Sequence, residues 1–90
     1  PFNPSTIIEF SLPNISIVTL KLYNILGEEV ATLLNKEEMQ DGYQQVELSS
    51  NELNLASGVY IYRIVAETVK DEDNPVGQKF VSVKKMVILK

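Results

Sequence analysis

Apolar and polar residues alternate with a period of two along most of this chain, and no other feature narrows its fold as much. From Ser16 to Tyr23 the sequence reads S-I-V-T-L-K-L-Y, with Val18, Leu20 and Leu22 on one face and Thr19, Lys21 and Tyr23 on the other. Successive side chains of a strand point to opposite faces, so this is the pattern of a half-buried strand. Thr6 to Leu12 repeats it, with Ile8, Phe10 and Leu12 together. Glu29 to Leu34 and Tyr43 to Leu48 follow, the second with Val46 and Leu48 set against Gln45 and Glu47. Gly58 opens a stronger segment, Val59 to Glu67. Its Tyr60, Tyr62, Ile64 and Ala66 face is expected inside, because Arg63 on the other face prefers solvent. Gln78 to Val83 and Lys85 to Leu89 complete the series, either as two strands or as one long strand with a bulge near Lys84.

Turn residues separate these segments. Pro13-Asn14, Gly27, Asp41-Gly42 and Asn74-Pro75 all stand where a strand must stop. Ser49 to Ser57 is polar and irregular, with Leu53 and Leu55 as expected core anchors. Glu28 to Glu38 also fits a helix, since Val30, Leu33 and Leu34 fall at i, i+3 and i+4. Gly27 and the β-branched Val30 and Thr32 favour a strand there. The expectation is an all-β fold, an antiparallel β-sandwich of about seven strands.

Ninety residues allow one small domain. With 44% hydrophobic and 22% charged residues the composition is that of a folded chain. The net charge of −4 argues against a nucleic-acid partner, which needs clustered cations. Histidine, cysteine and tryptophan are absent. That excludes a Ser-His-Asp or Cys-His nucleophilic site, a Cys/His zinc site and any disulfide. No run approaches the 18 apolar residues of a spanning helix, so no membrane insertion is expected. The chain opens on Pro1 rather than Met, as expected of a piece of a longer or processed protein. The apolar segment Met86–Leu89 is followed by Lys90 alone, as expected of a native C-terminus.

Few constellations carry chemistry. Glu28-Glu29 and Glu37-Glu38 are adjacent pairs whose members point to opposite faces of a strand, so neither forms a catalytic dyad. Asp71, Asp73 and Asn74 offer oxygens to calcium, but the EF-hand pattern is absent and a solvated loop is the simpler reading. The four tyrosines offer stacking faces for a sugar, a use that the lack of Trp weakens. Ser57-Gly58-Val59-Tyr60-Ile61-Tyr62 is similar to the tyrosine corner of Ig-like domains, which predicts a hydrogen bond from the Tyr60 hydroxyl to backbone between Leu53 and Ala56. The Asn14-Ile15-Ser16 sequon carries no weight. No catalytic residue, metal site or cofactor is expected.

Three ordered segments resemble the C-terminal sorting domain of the type IX secretion system, found on secreted proteins of Bacteroidetes and relatives. The first is Pro1-Phe2-Asn3-Pro4-Ser5-Thr6-Ile7-Ile8-Glu9-Phe10. The second is V-T-L-K-L-Y-N-I-L-G-E-E-V-A-T-L, from Val18 to Leu33, with Leu26-Gly27 and Val30 in the family pattern. The third is Leu55 to Arg63, with Gly58 and Tyr60, followed later by Lys84-Lys85-Met86-Val87-Ile88-Leu89-Lys90. In this pattern Pro1, Asn3, Pro4, Gly27, Gly58 and Tyr60 are structural positions. The family commonly reaches its last strand through a short Gly-Gly turn, whereas Val69 to Gln78 here carries an acidic excursion.

The resemblance implies a single Ig-like domain over residues 1–90, at the end of a larger exported protein and related to the Ig-like domain of flagellar hook-capping proteins. It implies work by binding and not by catalysis. The implied partners are an outer-membrane translocon or its shuttle, a surface sortase, and a cargo protein covalently joined at the N-terminal side. The implied route passes through the periplasm to the cell surface or medium. Lys84, Lys85, Met86, Val87, Ile88, Leu89 and Lys90 are the expected recognition segment. A passive structural or adhesive module and a small carbohydrate-binding sandwich are the competing readings.

Overall fold

The computed structural model describes residues 5–50, 52–70 and 77–89. Six strands follow in order: β1 Ser5–Leu12, β2 Ser16–Asn24, β3 Glu29–Met39, β4 Gly42–Ser49, β5 Gly58–Thr68 and β6 Lys79–Ile88. Strands β1 and β4 pair as one sheet, and the other has the order β3-β2-β5-β6. Every pairing is antiparallel.

The two sheets form a sandwich because each alternating segment puts its apolar face between them. Val18, Leu20 and Leu22 of β2 are fully buried. They pack in one core with Ile8, Leu12 and Leu48 from the two-stranded sheet and with Tyr60, Ile64, Ala66 and Ile88 from β5 and β6. A fully buried Leu contributes about 1.5–3 kcal/mol of transfer free energy, so this cluster dominates the stability of a chain without disulfides.

The all-β expectation holds, as do the inward face of β5 and the anchoring of Leu55, which is buried. Two details differ. The expected tail segments Gln78–Val83 and Lys85–Leu89 merge into one strand, Lys79–Ile88, with Gln78 and Leu89 just outside it, so the described residues hold six strands. That strand carries no bulge near Lys84: its register with β5 runs unbroken from Glu67↔Lys79 to Gly58↔Ile88. The alternation blurs there because β6 is largely exposed on both faces, so burial imposes little pattern on it.

The other difference lies in β3, a strand throughout and longer than Glu29 to Leu34. It runs to Met39 and meets β2 through three register shifts. At each shift β3 advances one residue more than β2, and at one of them Lys36 takes a left-handed backbone with φ 51°. A bulge reverses the facing of the residues beyond it. This is how a strand can mimic the i, i+3, i+4 spacing of a helix.

Candidate functional site

The four-stranded sheet has two edges, and they are unlike. On β3 the three register shifts break the row of outward amides and carbonyls, a common defence against unwanted pairing. The β6 edge is regular over its ten residues, Lys79–Ile88, with no proline and no bulge. It carries Lys79, Lys84 and Lys85 and no acidic side chain. Of these lysines, Lys79 lies 3.9 Å from Glu67, a loose and exposed pair. Flanking lysines keep an open edge soluble while leaving its backbone free to pair.

Register assigns the faces of β6. Met86 stands opposite Tyr60, Lys84 opposite Tyr62, Ser82 opposite Ile64 and Phe80 opposite Ala66. Directly opposed residues share a face, so Phe80, Ser82, Lys84 and Met86 belong to the inner side. Val81, Val83, Lys85 and Val87 belong to the outer side, and all three of those valines are exposed. Leu89, just beyond the strand, is 73% exposed.

A second exposed apolar element stands at the same end of the molecule. The β2–β3 hairpin carries Ile25 and Leu26 at its tip, 69% and 79% exposed. Asn24 pairs with Tyr60, which pairs with Met86, so this tip and the C-terminal end of β6 lie at one end of the sheet. The tip is rigidly built. The Asn24 side-chain oxygen accepts from the backbone N–H groups of Leu26 at 2.9 Å and Glu28 at 3.0 Å, and its amide donates to the Glu28 carboxylate at 3.0 Å. Its backbone accepts from Gly27 N–H and donates to the Glu28 carbonyl. Gly27 closes the turn at φ 84°, where a side chain would be strained.

At the opposite end, Thr68 secures the base of the acidic excursion. Its amide donates to the Gln78 carbonyl at 2.8 Å and its hydroxyl accepts from the Gln78 amide at 2.7 Å. β6 therefore starts in a fixed register whatever connects it to β5.

Of the expected recognition residues, Lys84 to Leu89 lie on or next to the open edge. Ile88 is buried beneath it and Met86 half-buried. Lys90 lies outside the described residues, as do Pro1, Asn3, Pro4 and the Asp71–Asn74 oxygens. Gly27 shapes the hairpin and Gly58 begins β5. The Tyr60 hydroxyl donates to the Ala56 carbonyl at 2.8 Å, within the stretch expected for it.

Ile25 and Leu26 escaped the sequence reading as surface residues. The signal was present: two large apolar residues inside a turn bounded by Asn24 and Gly27, where burial is hard to achieve. The tyrosines do not form a sugar platform. Tyr60 is buried, Tyr23 and Tyr62 are half-buried, and Tyr43 stands exposed on the other sheet. Glu28 and Glu29 are engaged with Asn24 and Lys21. Among the described residues no three acidic groups converge on a metal position.

The sequence matches the family described as secretion system C-terminal sorting domain over residues 1–88. No curated protein and no solved structure matches it.

Proposed function

We infer how this chain works from the family to which it belongs, the C-terminal sorting domains of the type IX secretion system. Membership makes it a sorting signal, one that interacts with the secretion machinery and belongs to a secreted or cell-surface protein. The finer reading is that it acts by binding and performs no chemistry. The machinery pairs with β6, backbone hydrogen bonds supply the affinity, and Lys84, Lys85 and Lys90 steer the encounter with an acidic surface.

The observation that carries this reading is the contrast between the two sheet edges. One is broken by three bulges, while the other is regular, cationic and exposed. The rigid apolar tip at Ile25 and Leu26 adds a second contact at the same end. On this reading the folded domain crosses the periplasm behind its cargo, is read at the outer membrane, and is then removed by a sortase at the surface.

The test is export of a fluorescent reporter placed before residues 1–90, in a host with an active type IX system and in its translocon-deficient counterpart. Reporter outside the first host and held in the periplasm of the second is the expected result. Retention in both would favour a structural module instead.

A further inference from the structure

The two sheets are unequal in width, and the inequality leaves a cleft. Among the described residues, β1 is a free edge of the two-stranded sheet, and β6 is a free edge of the four-stranded sheet. Both border one opening, because a single cavity of about 310 Å³ is lined by Phe10 and Leu12 from β1, Tyr62 from β5 and Phe80, Ser82 and Lys84 from β6. A smaller one of about 180 Å³ continues along the same junction, between Thr6, Leu48 and Ile88. Beside Ile88 the core is covered, with Leu48 and Ile88 both buried. Beside Phe80 it is not: this phenylalanine lies on the inner face of β6, yet is 44% exposed. Lys84 lies on the same inner face, exposed, with no ion-pair partner among the described residues.

We propose that this cleft receives one extended strand donated by a partner, which adds to β1 as the third strand of the smaller sheet and covers Phe80. Three observations fix the chemistry of the donor. The β1 edge offers backbone amides and carbonyls, which only an extended backbone satisfies in series. The floor formed by Phe10, Tyr62 and Phe80 takes an apolar side chain at alternate positions. Lys84 at the wall takes a carboxylate; the other charged residue lining the cavity, Glu9, is exposed on the face of β1 opposite Ile8 and Phe10. The occupant is an extended segment alternating apolar and acidic residues. The proposal deepens the sorting reading and rests on it for the donor's identity, as part of the secretion machinery, but not for the cleft itself.

The test uses residues 1–90 and eight-residue peptides alternating Val with Glu, a Val/Lys counterpart, and a Val/Glu peptide N-methylated at every residue so that neither of its edges has an amide to donate. Binding is read by amide hydrogen exchange resolved by residue. The Val/Glu peptide is expected to slow exchange in β1 between Glu9 and Leu12. The N-methylated peptide should bind on the order of tenfold more weakly, since backbone pairing supplies the affinity. Lys84→Glu, at an exposed site, should reverse the preference toward the Val/Lys peptide. No change in β1 exchange, protection confined to β6, or equal binding of the N-methylated peptide would overturn the proposal. The reporter assay separates the two readings. A chain that is exported but whose β1 takes up no peptide loses the cleft and keeps the sorting role. A chain that takes up peptide but is not exported keeps the cleft and loses that role.

Discussion

The hydroxyl of Tyr60 donates to the backbone carbonyl of Ala56 at 2.8 Å, while its ring lies 8% exposed in the core. One side chain therefore fills the sandwich and ties down the irregular segment leading into β5. That segment is held otherwise by short backbone bonds, Leu53 N–H to the Ser49 carbonyl and Leu55 N–H to the Ser50 carbonyl. Tyr60→Phe keeps the packing and removes the bond, so it should cost about 0.5–1.5 kcal/mol. Tyr60→Ala also opens a cavity and should cost about 3–5 kcal/mol. Urea unfolding of both variants separates the two contributions. A Tyr60→Phe variant as stable as the parent would show that the hydroxyl bond does not matter.

Asn24 presents a similar case at the surface. Its side chain makes three hydrogen bonds that shape the Ile25–Leu26 tip. Asn24→Ala should lower stability by about 1–2 kcal/mol, the net worth of a few partly exposed hydrogen bonds. Amide exchange at Leu26 and Glu28 should rise, with the core strands unaffected. Unchanged exchange at those two amides would mean that the backbone alone holds the turn.

These two residues show what the sequence made legible. Tyr60 was readable because the S-G-V-Y-I-Y run couples a strand period to a turn, so both its burial and its partner followed. Strands β1, β2, β4 and β5 were readable for the same reason: one face is buried and burial enforces alternation. Strand β3 was only partly readable, since three bulges scramble its period and Lys36 turns left-handed. The tail was ambiguous between one strand and two because β6 is exposed on both faces. That exposure, which hid the strand's continuity, is also what leaves its edge available. The cleft beside β1 was not legible at all, because it arises from the relative width of the two sheets and not from any local pattern.

Lys21 and Glu29 join β2 to β3 across 3.0 Å at the surface. The hydrogen bond with Lys21 holds the Glu29 carboxyl below its usual value of 4.5, and the hydrogen bond with Glu29 holds Lys21 above 10.5. A depressed carboxyl stabilises the fold above its unfolded pKa, and the effect is lost as pH falls through the folded value. A raised lysine stabilises below its unfolded pKa, and the effect is lost as pH rises through the folded value. The pair therefore acts across the neutral range and fades below about pH 4.5 and above about pH 10.5. Thermal melts of Glu29→Gln should differ from the parent at neutral pH and converge with it in acid. Molar salt should shrink the difference, as screening requires. A difference that persists in acid would assign the effect to packing.

Ile25 and Leu26 bury little, so the double variant Ile25→Ser/Leu26→Ser should melt within about 0.5 kcal/mol of the parent. If the tip contacts the secretion machinery, as its place beside the end of β6 indicates, export of the reporter should fall several-fold all the same. Undiminished export with unchanged stability would remove the tip from the docking surface.

A proline scan along β6 tests the edge most directly. In an antiparallel strand the amides point alternately toward the neighbour and away from it. Proline between Lys79 and Ile88 should therefore alternate in its effect on stability with a period of two, because the unbroken register with β5 places every second amide in the ladder. At the ladder positions it removes a hydrogen bond and clashes, and the domain should lose several kcal/mol. At the intervening positions the amide faces solvent, so the domain should stay folded while the edge can no longer pair. Those folded variants decide the matter. If β6 docks by strand pairing, each should be retained in the periplasm although its melting curve is near normal. If they are exported as well as the parent, the lysines and valines of β6 are read as side chains, and backbone pairing plays no part.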